Sequence, residues 1–251
     1  MKKDYVSIII PYFKKKEFFL ECLNSAYNQT YKKKEIIIVY DDNDLSDLIY
    51  IKNIIKNKKN IYLYINKKNQ GAGQSRNFAI KKSKGEFLAF IDGDDVWSKK
   101  KLEIQINFMK KKNIIASFTS YTIINSLGKV VGFREAKKII TFEDLKYSCD
   151  IGLSTVVIRK IKRINNVIKF PSIKTKEDYV LWINLSKNKV NFFGLKRNLA
   201  SWRKLNDSLS SGIVQKLLDG FRVYNTYFKF NFIKSLFFLI LLSINYLRKI
   251  I

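Results

Sequence analysis

Residues 85–95 read Gly-Glu-Phe-Leu-Ala-Phe-Ile-Asp-Gly-Asp-Asp, and this stretch limits the possible folds more than any other. The apolar run 87–91 is short, is entered through a glycine and stops at three acids within four residues. That is the pattern of a buried strand delivering carboxylates to the edge of an α/β sheet. Ligands of open α/β sheets sit beyond the carboxyl ends of the strands, so Asp92, Asp94 and Asp95 fall where chemistry is expected. Carboxylates this close repel one another unless a cation lies among them, and hard oxygen donors suit Mg2+ or Mn2+. The same residues also make a good turn, and Asp can cap the helix that starts near Ser98, so the stretch alone leaves a structural reading open.

The flanking sequence supplies the rest of such a sheet. Strands are predicted at 5–10, ended by Pro11, then at 35–40 and 61–65. Between them, Phe18, Phe19, Cys22, Leu23, Ala26 and Tyr27 repeat at helical spacing, and so do Leu48, Ile51, Ile54 and Ile55. The second strand also runs into acids, Asp41 and Asp42. The loop Asn69-Gln70-Gly71-Ala72-Gly73 opens a helix from Gln74 that carries Arg76, and free N–H groups beside a guanidinium form a plausible anion site. A turn role for Gly71 and Gly73 explains them equally well. A helix over Leu102, Ile106, Phe108 and Met109 and a strand at 114–121 follow. Alternation of this kind predicts a mostly parallel central sheet with helices on both faces.

Composition narrows the chemistry. The 251 residues contain no histidine, which removes Ser-His-Asp and Cys-His catalysis and every imidazole metal site. Any catalyst must use carboxylates, Lys, Tyr or a metal. Cys22 and Cys149 lack zinc spacing and read as reduced thiols of a cytosolic protein. No secretory leader is expected, because the run 6–10 is short and stops at Pro11. The formal net charge of +27 points to a polyanionic neighbour, although lysines coating helices account for part of it.

Beyond about residue 125 the alternation loosens. Thr141 followed by Asp144 predicts a capped short helix to about Lys146, and 153–159 predicts a strand. Glu177-Asp178 opens a helix carrying Val180, Leu181, Trp182 and Leu185; acids there serve as caps or as catalysts. Residues 192–194 and 200–203 read as further strands, and 206–211 as a polar turn. The tail is apolar at 236–242, with Lys229 and Lys234 before it and Arg248 and Lys249 behind. The continuous apolar part is about half of the roughly twenty residues needed to cross a bilayer. It predicts a helix lying in a membrane interface, or one buried against the body or a dimer partner.

Taken in order, these motifs resemble those of glycosyltransferase family 2, whose members have the GT-A fold. The resemblance rests on Val6-Ser7-Ile8-Ile9-Ile10-Pro11, Asn28-Gln29-Thr30-Tyr31, Ile38-Val39-Tyr40-Asp41-Asp42-Asn43, the loop 69–77 and Phe90-Ile91-Asp92-Gly93-Asp94-Asp95-Val96-Trp97. It implies a Rossmann-like GT-A catalytic domain over 1–215, with 1–125 binding a nucleotide-sugar and 126–215 the acceptor, followed by a helical tail at 216–251. Pro11 and Phe13 would frame the base, Asp41 and Asp42 would meet the base or ribose, and Gly71 and Arg76 would lie near the diphosphate. Asp92, with Gly93 in the same turn, and Asp94 would hold the ribose and a divalent cation, Asp95 supporting. Asp178 would be the general base of an inverting transfer, Glu177 the alternative. Many relatives carry a histidine soon after the arginine corresponding to Arg203; Leu205 stands there, so either Asp94 and water alone would hold the metal or Arg203 or Lys204 would replace the histidine's contribution, and strict metal dependence is in question. The implied donor is a UDP-sugar. The implied acceptor is a saccharide or a polyprenyl-diphosphate-linked sugar at the inner face of the cytoplasmic membrane, in bacterial surface-polysaccharide synthesis.

Two other classes share parts of this pattern. A metal-dependent nucleotidyltransferase uses acidic strand ends, but a triphosphate-binding Lys-rich glycine loop near the first strand is missing. A nucleic-acid-binding protein would account for the charge, yet the acids occupy the sheet edge that phosphates would approach, and no base-reading motif is present.

Overall fold

The computed structural model describes residues 1–205 and 213–248, so the polar turn expected at 206–211 lies outside the described residues. The first half alternates: β1 (Lys2–Tyr12), α1 (Lys16–Tyr27), β2 (Lys34–Tyr40), α2 (Leu45–Ile55), β3 (Ile61–Ile65), α3 (Ala72–Lys82) and β4 (Gly85–Phe90). Its strands are parallel in the order β3-β2-β1-β4. Then come β5 (Val96–Trp97), α4 (Lys101–Lys111), β6 (Ala116–Ile124), β7 (Val130–Arg134), β8 (Ile139–Ile140), β9 (Val157–Arg159), α5 (Glu177–Lys187), β10 (Phe192–Arg203), α6 (Ile213–Arg222) and α7 (Phe232–Leu247).

The sheet continues through β9, antiparallel between β4 and β6, and β6 pairs parallel with β10. Long ladders are parallel, and antiparallel pairing is confined to the shorter strands. Successive side chains of a strand face opposite sides, so a strand covered on both faces must be apolar throughout. Ile8, Ile10, Ile36 and Ile38 accordingly pack with Phe19, Leu23, Ile51, Leu102 and Ile106 from α1, α2 and α4. Ile9, Ile37, Val39, Leu88 and Phe90 face the other layer, with Ala79 of α3 and Leu181 of α5.

Several boundaries differ from expectation for identifiable reasons. Pro11 lies within β1. Ile9 O accepts Ile91 N on the β4 side and Tyr12 O accepts Asp41 N on the β2 side, so Pro11 turns toward β4, where pairing has already ended at Ile9 and Phe90. The strand expected at 153–159 begins as a single 3-10 turn, Leu153–Thr155, and only β9 is extended. The two strands expected at 192–194 and 200–203 are one, β10, with register shifts around Asn198. The Thr141 cap is present: its N–H and hydroxyl both donate to Asp144 Oδ2, and the turn Asp144–Lys146 follows.

The tail folds onto the body. Tyr224 stacks between Phe228 and Phe238 and belongs with Val223 and Leu242 to the core layer that holds α5. No described helix is long and apolar enough to cross a membrane.

Gly85 is a close approach in the sheet: a Cβ there would lie 2.6 Å from Tyr5 O and 2.7 Å from Ser7 N, both main-chain atoms that cannot swing aside. Gly85→Ala should therefore lower stability by about 2–3 kcal/mol, read as a fall in Tm of about 5–10 °C by circular dichroism.

Candidate active site

The acid turn after β4 is organised from beneath. Asp95 is buried and accepts Ser154 Oγ at 2.5 Å and Arg203 N at 2.9 Å. The Ser154 hydroxyl also receives Asp92 N at 3.1 Å. Arg203, itself buried, donates Nε to Asp94 O at 2.9 Å, Nη1 to the carbonyls of Asn125 and Ser126, and Nη2 to Glu21 at 2.5 Å. Its guanidinium also lies over the Phe18 ring at 4.7 Å. Arg203, expected near the phosphate or metal, thus braces the shape of the turn. Above it, the Asp94 carboxylate is 14% exposed and pairs with Lys15 Nζ at 2.8 Å. Burial, reinforced by neighbouring acids, raises the carboxyls of Asp94 and Asp95 above the ordinary range.

The second acidic strand end, after β2, is used differently. Asp41 is buried; Oδ1 accepts Asn66 Nδ2 at 2.6 Å and Gln70 N at 2.9 Å, and Oδ2 accepts Gly71 N at 2.8 Å. These bonds shape the glycine loop. Gly71 has φ +84°, a conformation that L side chains rarely adopt, and it leads into α3. Asp42 holds the next turn, accepting Lys14 N at 3.0 Å and Asn43 N at 2.8 Å. Half-buried Pro11 and Phe13 flank Tyr12, the last residue of β1, and a Cβ at Gly93 would lie 3.4 Å from Pro11 O.

Arg76 of α3 joins the halves of the chain. Its guanidinium is almost fully buried, with Nη2 2.5 Å from Asp92 Oδ1, Nη1 2.7 Å from Glu177 Oε1, and the Phe170 ring 5.3 Å away. The adjacent Asn77 clamps the Phe170 main chain in both directions, each bond 2.8 Å. Gly73 makes this approach possible: a Cβ there would sit 3.3 Å from Glu177 Cγ and Pro171 O. Beside this cluster, half-buried Asp178 starts α5, one oxygen accepting its neighbour Tyr179 N at 2.7 Å. Burial and then the Glu177 charge push its carboxyl up to about 7.

Asp92, Asp95 and Asp178 share a cavity of about 850 Å³ with Tyr121, Ser154 and Trp202. The structure thus brings Asp92, Asp94, Asp95, Arg76, Glu177 and Asp178 to one edge of the sheet, with Asp41, Asp42, Gly71, Pro11 and Phe13 along its neighbouring strand ends. Sequence reading missed Lys15, Ser154, Glu21 and Trp202; only Trp202, an indole at a strand end, carried a signal.

Among the described residues, no group of three acidic or cysteine side chains could hold a metal ion by itself. Asp95 has both oxygens engaged, and Asp92 is held by Arg76. Asp94 nevertheless fits a hydrated Mg2+ or Mn2+ that takes its other ligands from water and a substrate diphosphate, because such ions commonly use one or two carboxylates.

Comparison with known proteins gives this fold and site their class. The architecture is that of GT-A glycosyltransferases: S. aureus TarS in complex with UDP-GlcNAc superposes with TM-score 0.69 at 22% identity, over 94% of this chain and 70% of that one. The mannosyltransferase PcManGT from Pyrobaculum calidifontis, in complex with GDP-Man and Mn2+, gives 0.70 at 10% identity, over 93% and 69%. The sequence model described as Glycosyl transferase family 2 matches residues 7–145, and the chain belongs to that family. Relatives include the UDP-Glc:alpha-D-GlcNAc-diphosphoundecaprenol beta-1,3-glucosyltransferase WfgD of Escherichia coli, 35% identical over 85% of this chain and 83% of its own. The putative teichuronic acid biosynthesis glycosyltransferase TuaG of Bacillus subtilis is 29% identical over 93% and 92%.

Replacing Arg76 with Met would leave Asp92 and Glu177 facing each other beside Asp178 without their cation. The expected loss is about 3 kcal/mol, measured by urea unfolding; Arg76→Lys should recover only part of it, since one ammonium cannot span both carboxylates in the same geometry.

Proposed function

We propose that the chain is an inverting hexosyltransferase that moves a sugar from a UDP-sugar to a hydroxyl of a saccharide or polyprenyl-diphosphate-linked acceptor. Its setting would be surface-polysaccharide synthesis, at the inner face of the cytoplasmic membrane. The observation that carries this reading is Asp178, a carboxylate poised near neutrality in the cavity that also contains Asp92. Similarity to WfgD, named for a UDP-Glc donor and a diphosphoundecaprenol-linked acceptor, supports the choice of donor and acceptor classes.

The chemistry follows from what each residue can do. The acceptor hydroxyl enters beside Trp202 and Tyr121, and Asp178 takes its proton as the oxygen attacks the anomeric carbon. The bond from that carbon to the diphosphate oxygen breaks, its electron pair leaves with the diphosphate, and one displacement inverts the centre. Asp94, with Asp92 beside it, would hold Mn2+ or Mg2+, whose charge when bound offsets the negative charge gathering on the departing diphosphate. Arg76 keeps Asp92 and Glu177 in place while this happens. Asp42 and Phe13, at the neighbouring strand ends, are the proposed contacts to the nucleotide.

Asp178 acts ionised, so turnover should rise tenfold per pH unit below about 7 and level off above it. Folding raises this carboxyl, so its contribution to stability is lost as pH climbs from the ordinary carboxylate range through about 7. Asp178→Asn should therefore cut turnover by about 10²–10⁴-fold while unfolding at pH 8 no earlier than the parent. Near-normal turnover in that variant would remove the base from this position.

Donor class and metal use are read together by thermal shift with UDP-, GDP-, CMP- and dTDP-sugars, each with Mn2+, Mg2+ or excess chelator. UDP-sugars should stabilise the protein most, and metal should enhance that effect in the parent but not in Asp94→Ala. A response to no nucleotide-sugar would remove the transferase assignment.

A further inference from the structure

The two tail helices present an apolar surface that the body does not cover. Seen along α7, Ile233, Leu236, Phe237, Ile240, Ile244 and Leu247 fall within an arc of less than about 180° at 100° per residue, and all are exposed, Ile233 by 79% and Phe237 by 56%. Phe238 and Leu242, at 7% and 8%, point the other way into the core. The stripe continues onto α6 through exposed Val214, Leu217 and Leu218, and the Phe221 and Phe232 rings meet at 5.3 Å to join the helices. A helix apolar on both sides has more hydrophobic surface than its own fold uses.

We propose that this outer face of α6 and α7 docks on an anionic lipid bilayer and sets the acceptor cavity beside the membrane. The proposal deepens the transferase reading and rests on it for the cavity's role. Charge favours lipid over other occupants. Residues 213–248 contain Lys216, Arg222, Lys229, Lys234 and Arg248 against one acid, buried Asp219, which pairs with Arg222 at 3.2 Å and accepts Thr175 N at 3.0 Å, leaving the three lysines and Arg248 without an acid in the tail. A second copy would bring the same cations face to face, whereas phosphate headgroups neutralise them. The 16 residues of α7 extend about 24 Å, short of the roughly 30 Å hydrocarbon core, so the helix lies in the interface instead of crossing it.

The orientation comes from the C-terminal turn of α7. Asn245 Nδ2 donates to Tyr147 O at 3.0 Å, fixing the helix end to the body. Next to it, Tyr246 is half exposed and lines the same cavity as Trp202 and Asp178. Tyr246 projects from the body-facing side of α7, so a bilayer on the outer stripe lies one helix diameter, roughly 10–12 Å, from the cavity's rim, a span that an acceptor sugar on a lipid diphosphate crosses while its chain stays in the membrane.

Co-sedimentation of the full chain with phosphatidylglycerol/phosphatidylcholine vesicles tests this without donor or turnover. The parent should bind these vesicles at least tenfold better than pure phosphatidylcholine, and Ile233→Glu/Ile240→Glu should lose at least tenfold. A tryptophan at Phe237→Trp should be quenched by brominated lipid, and one at Ile49→Trp on α2 should not. Equal binding by the double variant, or absence of quenching at position 237, overturns the proposal. So does a dimer in light scattering that the double variant dissolves, which would make a second copy the occupant. Thermal shift by UDP-sugar, run on the same samples, separates the two readings. An intact shift with lost vesicle binding in the parent removes only the docking surface, and vesicle binding without any shift removes only the transferase assignment.

Discussion

One buried guanidinium holds the site together. Arg76 bridges Asp92 and Glu177, residues from opposite halves of the chain, and no other described cation reaches both. A charge taken out of water is costly unless it is paired and hydrogen-bonded. Here two carboxylates and the Phe170 ring surround it, and each carboxylate needs the cation as much as the cation needs them. The glycine at position 73 and the Asn77 clamp exist in service of this contact, since both bring α3 against the segment leading to α5. The geometry of Asp178 is thereby tied to the end of β4.

The acids of the site differ because their partners differ. Asp95 is absorbed by Ser154 and the Arg203 main chain, so it serves as a strut. Asp94 pairs with the Lys15 ammonium at 2.8 Å. Asp92 and Glu177 both pair with Arg76. Asp178 has no cation at ion-pair distance among the described residues, and burial beside Glu177 raises its carboxyl to about 7. Neighbouring carboxylates thus differ in environment, some paired with cations or held by hydrogen bonds and one poised near neutrality.

Much of the sheet was legible because burial on both faces demands continuous apolar runs, and β1 to β4 have them with acids or turns at their ends. What failed to show was set by pairing. β5 and β8 have two residues each, too few for any period, and exist because β10 lies alongside. β9 reads like the other apolar strands but runs antiparallel, a fact of topology that carries no local signal. The outer stripe of α7 was legible as apolar content, yet its division into a core side and a free side depends on where Tyr224 packs.

The site divides along the same line. Acid positions follow from strand ends, because the sheet determines where a strand delivers its next residues. What each acid does follows from which donors arrive from elsewhere, and those come from loops far away in sequence. Asp41, expected at the nucleotide, also receives Asn66, Gln70 and Gly71 on its oxygens, three donors that no local pattern announces. Arg203, expected near the phosphate or metal, also donates to Glu21 and to the carbonyls of Asn125 and Ser126, which lie far from it in sequence. Lys15 is one lysine within Lys14-Lys15-Lys16, and nothing in that run distinguishes it from the neighbours on either side. Only the start of α1 against the acid turn, with Gly93 3.7 Å from the Lys15 Cβ at its own Cβ position, aims that ammonium at Asp94.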